Sequence, residues 1–357
     1  MKVSQKVVLI SSAIVVITFT LFSWLQYNSV KDTLYQKAES NVTETSTVIA
    51  KQITDWLNGK LALVDMVAKT IDGNYSPDNI QQAFDNPILK DHFILMFGGL
   101  HTDGKPITND SSWNPEGWDA RKRPWYQVAR NNSIAALTDP YADASSGEIL
   151  ISAVANITDQ GRFLGAFGGD LSLQLISETL NTVTFDNTGY TFLINNQGSI
   201  ISHPDKALNG KNLSEVFEGK QPELRSHLQQ LSVAGKQVFT SFQPLVGLQG
   251  SQWFIGVILN RDQVLQQATD FGVAALIGTL LSVLLCSLAL FLTMKSLLSP
   301  LQHLQASLVD INSGDGDLTK RLNVESKDEF GNDNVAATQF KINYDTVSPD
   351  VLITADK

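Results

Sequence analysis

Two stretches of the chain carry no charged side chain: Val7 to Val30 and Phe271 to Met294, each 24 residues long. At a rise of ~1.5 Å per residue, a helix of that length reaches about 36 Å, enough to cross a hydrocarbon layer ~30 Å thick. Both stretches are expected to be transmembrane helices. Lys2 and Lys6 before the first one invite a cleavable signal sequence as the alternative. The run is too long for an ordinary signal-sequence core, however, and Leu25-Gln26-Tyr27 offers no small-residue cleavage site, so an uncleaved anchor is the better reading. A buried core helix would rarely run as far as the second stretch without a charge.

Between the two spans the pattern changes twice. From Val30 to Ile71, apolar residues fall at Val42, Ile49, Ile53, Trp56, Val64, Val67 and Ile71. These steps of three, four and seven predict a long amphipathic helix that needs a partner surface, and Asp72-Gly73-Asn74 supplies its stop. Short β-prone runs follow: Phe93–Leu100, Ile149–Ile157, Phe163–Leu171, Tyr190–Asn195, Ser199–His203, Gln237–Pro244 and Trp253–Leu259. Turn pairs such as Asp103-Gly104 and Gln197-Gly198 separate them. The segments 93–107 and 191–201 both read as strand, turn, strand, and the later runs Phe163–Phe167 and Trp253–Val257 are alike, so one design is used twice.

Charge and cysteine content narrow the possibilities. Lys2 and Lys6 precede the first span, and Lys295, Lys320, Arg321 and Lys327 follow the second, which places both termini in the cytoplasm and residues 31–270 outside. The single cysteine, Cys286, lies inside the second span, so the outer region has no disulfide and holds together by packing. A net charge of −10 with no basic stripe argues against a nucleic-acid partner.

A long helix leading into two antiparallel-sheet modules between two spans resembles the double-Cache sensor region of bacterial receptors. Local motifs support the resemblance. The segment Gly117-Trp118-Asp119-Ala120-Arg121-Lys122-Arg123-Pro124-Trp125-Tyr126 is similar to the stretch around the ligand pocket of the membrane-distal module, with Thr138-Asp139-Pro140-Tyr141 and Gly168-Gly169-Asp170 following at the family's distances. Gly189-Tyr190-Thr191-Phe192-Leu193 with His203-Pro204 is similar to the membrane-proximal module. After the second span, Pro300, Ile311 to Arg321 and Asp328-Glu329-Phe330-Gly331 resemble a HAMP relay worded as in methyl-accepting chemotaxis proteins.

The resemblance implies an α+β fold: a long N-terminal helix with two PAS-like antiparallel-sheet modules, flanked by two transmembrane helices. The implied layout is a cytoplasmic start at 1–6, a span at 7–30, and a sensor at 31–270 with a distal module at about 75–175 and a proximal one at about 185–260. A second span at 271–294, a partial relay at 295–331 and an atypical tail at 332–357 complete it. The location implied is the bacterial inner membrane, crossed twice, with membrane lipid around the spans and a homodimer as the working form. Methylation helices and a kinase-coupling hairpin are missing from the sequence, so a chemotaxis kinase and adaptor are expected as partners only if the full gene product carries a signalling domain.

A pocket for a free amino acid needs a guanidinium or indole donor for the carboxylate and acceptors for the ammonium. Arg123 can grip a carboxylate bidentately, Trp125 can donate its indole N–H, and Asp143 and Asp170 can face the ammonium. Amino-acid-binding members of the family use a Tyr, Arg, Trp, Tyr, Tyr, Asp, Asp set. Carried over by position it becomes Trp118, Arg123, Trp125, Tyr126, Tyr141, Asp143 and Asp170. Trp118 departs from the pattern: an indole is bulkier than a phenol and cannot accept a hydrogen bond, which favours a smaller amino acid or a related amine.

Other chemistries find little support. His203-Pro204 has no second ligand at metal spacing and reads as a structural strand-end histidine. Gly314-Asp315-Gly316-Asp317 starts like a calcium loop, but the twelfth position from Asp315 is Ser326 where a Glu is needed. Neither a nucleophile elbow nor a zinc-protease helix is present, so an enzyme is not expected, and no cofactor or metal is implied. After Gly331 the alternation in Phe340–Tyr344 suits a strand better than a relay helix, and Pro349 excludes a long helix to the end. The sequence as written should bind and move but not signal by itself; the sensor part of a membrane histidine kinase or diguanylate cyclase is the alternative assignment.

Overall fold

The computed structural model describes residues 3–113, 115–182 and 185–312. In chain order the helices are α1 (Val3–Gly73), α2 (Pro77–Phe84), α3 (Pro87–His92), α4 (Pro124–Asn131), α5 (Leu173–Asn181), α6 (Leu213–Val216), α7 (Arg261–Val264) and α8 (Gln266–Asn312). The strands are β1 (Met96–Leu100), β2 (Ile107–Thr108), β3 (Ala136–Leu137), β4 (Tyr141–Ala142), β5 (Ile149–Asp159), β6 (Arg162–Leu171), β7 (Gly189–Asn195), β8 (Ile200–Ser202), β9 (Gln229–Val233), β10 (Lys236–Pro244) and β11 (Trp253–Asn260). The mixed helix-and-sheet class and the two antiparallel modules match the sequence expectation. Of the relay expected at 295–331, residues 295–312 belong to α8; the rest of it and the tail expected at 332–357 lie outside the described residues.

The chain divides into two units, one holding Met1–Ser29 with Asp270 onward and the other Val30–Thr269. In the first unit, Ser12 and Ser287 share a hydroxyl hydrogen bond of 2.8 Å, and Ser23 and Thr279 one of 3.3 Å. Small hydroxyls of this kind let apolar helices approach and stay paired in lipid. Leu9, Ile14 and Phe22, like Leu276, Leu280 and Leu284, are more than half exposed. Apolar surface on that scale, on helices long and apolar enough to cross a membrane, suits lipid and not water.

The second unit is built on the strand alternation. Its first sheet runs β2-β1-β6-β5-β3, with β4 pairing on β5, and its second runs β8-β7-β11-β10-β9; every pairing is antiparallel. Because side chains alternate across a strand, each sheet has two distinct faces. One face of the first sheet (Met96, Ile151, Ala153, Ala155, Ile157, Phe167, Leu171) and one of the second (Leu193, Phe239, Ile255, Val257, Leu259) share a core with Ile49, Ile53, Leu57, Leu61, Val64, Val67 and Ile71 of α1. The amphipathic stripe of α1 is thus the common floor of both modules. The opposite faces carry separate clusters, around Trp125 and Tyr126 in the first module and Phe192, Phe217 and Phe242 in the second.

Local chemistry fixes the boundaries. The strand expected from Phe93 begins only at Met96, because Asn86 caps α3 and Pro87 starts it, leaving Phe93 as the extended residue that ends the helix. β5 and β6 join through Gln160 and Gly161, both left-handed at φ 49° and 78°, the mirror-image turn whose twist suits a tight hairpin.

Candidate ligand-binding cleft

On the face of the first sheet turned away from α1, a cleft is lined by Phe97, Trp113, Trp118, Arg123, Trp125, Tyr141, Asp143, Ala144 and Asp170. Six of the seven residues singled out in the sequence come together here. The seventh, Tyr126, does not. Consecutive residues on a helix point about 100° apart, so while Trp125 turns to the cleft, Tyr126 turns into the core, fully buried, with its hydroxyl 3.2 Å from His101 Nδ1. Trp113, Phe97 and Ala144 were missed; Trp113 sits in a polar loop with no periodicity to reveal it.

Arg123 owes its place to the start of α4. It takes an extended conformation (φ −85°, ψ 144°) immediately before Pro124, whose ring fixes the first helical φ. Its Nη2 donates to the Ala142 carbonyl at 2.7 Å, and its guanidinium lies 5.7 Å from the Tyr141 ring centroid. Among the described residues no carboxylate pairs with it. Most of its five N–H donors therefore stay available for an anion in the cleft.

Asp170 lies on β6 directly opposite Ser152 on β5, and both are buried. Its Oδ1 accepts from Ser152 Oγ at 2.6 Å and from Tyr141 OH at 3.2 Å, while Tyr141 OH and Ser152 Oγ are themselves 2.7 Å apart. Burial pushes the carboxyl up to about 7; the two hydrogen bonds and the Arg123 charge oppose this, and the Asp143 charge adds to it. The Tyr141 phenol is likewise pushed up, by burial first and then by the Asp170 charge. Close approach makes the site possible at the neighbouring glycine: a Cβ at Gly169 would run into the Phe93 ring.

Asp143 is held differently. Burial pushes its carboxyl up, but hydrogen bonds from the N–H and hydroxyl groups of Ser145 and Ser146 to Oδ1 outweigh that and hold it at about 2. It is first of all the cap of the 143–147 turn, and among the described residues no donor reaches its Oδ2. At neutral pH the cleft therefore offers one guanidinium, one fixed carboxylate and one carboxyl poised to ionise. An organic zwitterion with its charges a few ångströms apart is complementary to such a set.

Elsewhere, His203 directly follows β8 and is nearly fully buried, its Nδ1 accepting the Asp205 N–H at 2.9 Å, and burial lowers its pKa. Among the described residues no cluster of three metal-ligating side chains occurs.

The methyl-accepting chemotaxis protein PctB of Pseudomonas aeruginosa is 32% identical over 331 residues, 93% of this chain and 52% of that protein. The chain thus spans about half the length of the curated relatives it matches. Among solved structures, the ligand-binding domain of the Pseudomonas fluorescens chemoreceptor CtaA in complex with L-serine aligns with a TM-score of 0.59 at 33% identity, covering 64% of this chain and 99% of that one. The ligand-binding domain of PctB in complex with L-Arg aligns with a TM-score of 0.60 at 31% identity, covering 64% and 97%. A family model described as a Cache domain matches residues 26–268, and the chain belongs to that family, with methyl-accepting chemotaxis proteins among its relatives.

Proposed function

We propose that this chain is the sensor portion of a transmembrane chemoreceptor and that the cleft of its first module binds a small L-amino acid. The observation that carries the reading is the pairing, in one cleft, of an Arg123 guanidinium without a carboxylate partner and a buried Asp170 carboxyl. In this reading Arg123 takes the ligand carboxylate, and Asp170, with Asp143 and the Tyr141 hydroxyl beside it, takes the ammonium. Trp125 packs on the ligand carbon and can donate its indole N–H. The ligands in the solved complexes of CtaA and PctB, L-serine and L-Arg, are of the same class.

Ligand binding has a short route to α1. Ile94 N–H donates to the Asp170 carbonyl at 2.9 Å, and Lys60 on α1 donates to the His92 carbonyl at 2.8 Å and lies 5.5 Å from the Phe93 ring centroid. Tightening around Asp170 therefore pulls on the 92–94 segment that Lys60 clasps, and shifts of ~1–2 Å along a helix suffice for such relays. The sensor faces the periplasm or exterior, both termini are cytoplasmic, the inner membrane holds both spans, and a homodimer is the working form. A chemotaxis kinase and adaptor join only if the full gene product carries a signalling domain.

The test is a melting screen of the full chain in lipid nanodiscs against the proteinogenic L-amino acids. A ligand at 100-fold its dissociation constant adds ~2.7 kcal/mol and raises Tm measurably. Asp170→Ala should weaken that ligand by about 2–5 kcal/mol, thirtyfold or more. No shift with any amino acid at millimolar concentration overturns the proposal.

A further inference from the structure

If the cleft is an amino-acid site, one part of its lining has no role yet. The carboxylate belongs to Arg123 and the ammonium to Asp170 and Asp143, which leaves Phe97, Trp113, Trp118 and Ala144 to meet the ligand side chain. This end is aromatic and braced. Trp113 and Trp118 stand edge to face with ring centroids 5.3 Å apart, and Trp118 lies 6.3 Å from Trp125, whose other neighbour, Phe97, is at 4.8 Å.

The backbone that carries both tryptophans is tied down. Asp119, next to Trp118, is clamped to Arg121 through Nε at 2.9 Å and Nη2 at 2.8 Å, and Arg121 Nη1 reaches the His101 and Thr102 carbonyls at 3.3 Å. Ala120 N–H donates to the Gly104 carbonyl at 3.0 Å, tying the same segment to the turn after β1. Trp113 is held by Asp110, which accepts the Trp113 N–H on its carbonyl at 3.1 Å and both polar groups of Ser112 on its side chain. The cleft these rings help to close is tight, with room for about one water-sized group, so a ligand side chain that reaches beyond its Cβ must displace the Trp113 and Trp118 rings.

We propose that Trp113 and Trp118 set a size limit on the ligand, which confines this receptor to the smallest amino acids, and that Trp118 is the principal determinant of that limit. The inference rests on the amino-acid reading above.

Isothermal titration of the full chain in nanodiscs tests it, with glycine, L-alanine and L-serine against L-leucine, L-phenylalanine and L-arginine. The small set should bind at least tenfold tighter than the large set. Trp118→Ala, and the milder Trp118→Tyr should the first not fold, should narrow that ratio at least tenfold through tighter binding of the large set. Large amino acids binding the unaltered chain as tightly as L-alanine would overturn the size limit while leaving the amino-acid reading intact. A ratio unchanged in a folded Trp118 variant would remove Trp118 as its determinant. No binding of any of the six overturns both.

Discussion

The two modules share a strand order and differ in what they do with the face turned away from α1. In each, the last strand pairs with the first, and two positions before a helix N-cap it presents a residue opposite the neighbouring strand. In the first module that pair is Asp170 and Ser152, two residues before Ser172; in the second it is Ile258 and Thr240, two before Asn260. The acid of the first module is thus an aliphatic in the second. Phe192, Phe217 and Phe242, all fully buried, fill the space above it. One fold serves as a cleft or as a packed core depending on a few side chains on one face, which is why ligand chemistry cannot be read from the architecture alone.

The packed module is the more vulnerable to truncation. Phe242→Ala should destabilise the chain by about 3–5 kcal/mol, the usual cost of emptying a buried aromatic site. Amino-acid affinity in the first module should stay within about twofold, because distant sites act additively. A melting curve and a titration on the same sample check both halves. Lost affinity would mean that the second module holds the cleft in shape.

The cleft should respond to pH through a buried carboxyl for which the packed module, with Ile258 at that place, has no counterpart. The Asp170 carboxyl sits at about 7 in the free protein, and an ammonium ligand favours its ionised form. As pH falls below 7, binding must therefore displace a proton, and the dissociation constant should rise by up to about tenfold per pH unit. Stability moves the other way. The unfolded carboxyl ionises near ~3.9, so between about pH 4 and 7 the unfolded state sheds a proton that the folded state still holds, and Asp170 lowers stability as pH rises through that window. Asp170→Asn removes both effects. Its chain should gain up to roughly 4 kcal/mol over the unaltered one at pH 8, and its ligand affinity, though weak, should be flat with pH. A wild-type slope that persists in the variant would assign the proton to another group.

Much of this difference was legible in the sequence. The alternation in Ile149–Ile157 and Phe163–Leu171 gave β5 and β6 nearly to the residue, and the α1 stripe ended at the expected Asp72-Gly73. The family resemblance, and not any local pattern, grouped Arg123 with Asp170 although 46 positions separate them in the chain. The rest depends on what periodicity does not encode. α2 and α3 are only eight and six residues long, too short for a hydrophobic period, although Ser76-Pro77 and Asn86-Pro87 announce them as cap and first turn. Trp113 reaches the cleft through a turn set by Asp110, and Tyr126 leaves it through a single helical step of about 100°.

The finest test compares two hydroxyls at the same register. Ser152 Oγ is bonded to Asp170 and Tyr141, whereas Thr240 Oγ1, opposite Ile258, is buried with no hydrogen-bond partner among the described residues. A buried hydroxyl without a partner costs its desolvation and returns nothing, while one inside a network is expensive to remove. Thr240→Val keeps the shape and discards the unpaired oxygen, so it should leave Tm unchanged or raise it, by about 1 kcal/mol in stability. Ser152→Ala should instead cost about 1–3 kcal/mol, since it strips a donor from the Asp170 carboxyl. Two losses of similar size would show that Thr240 is also satisfied, and the second module would then hold a polar site of its own behind Ile258.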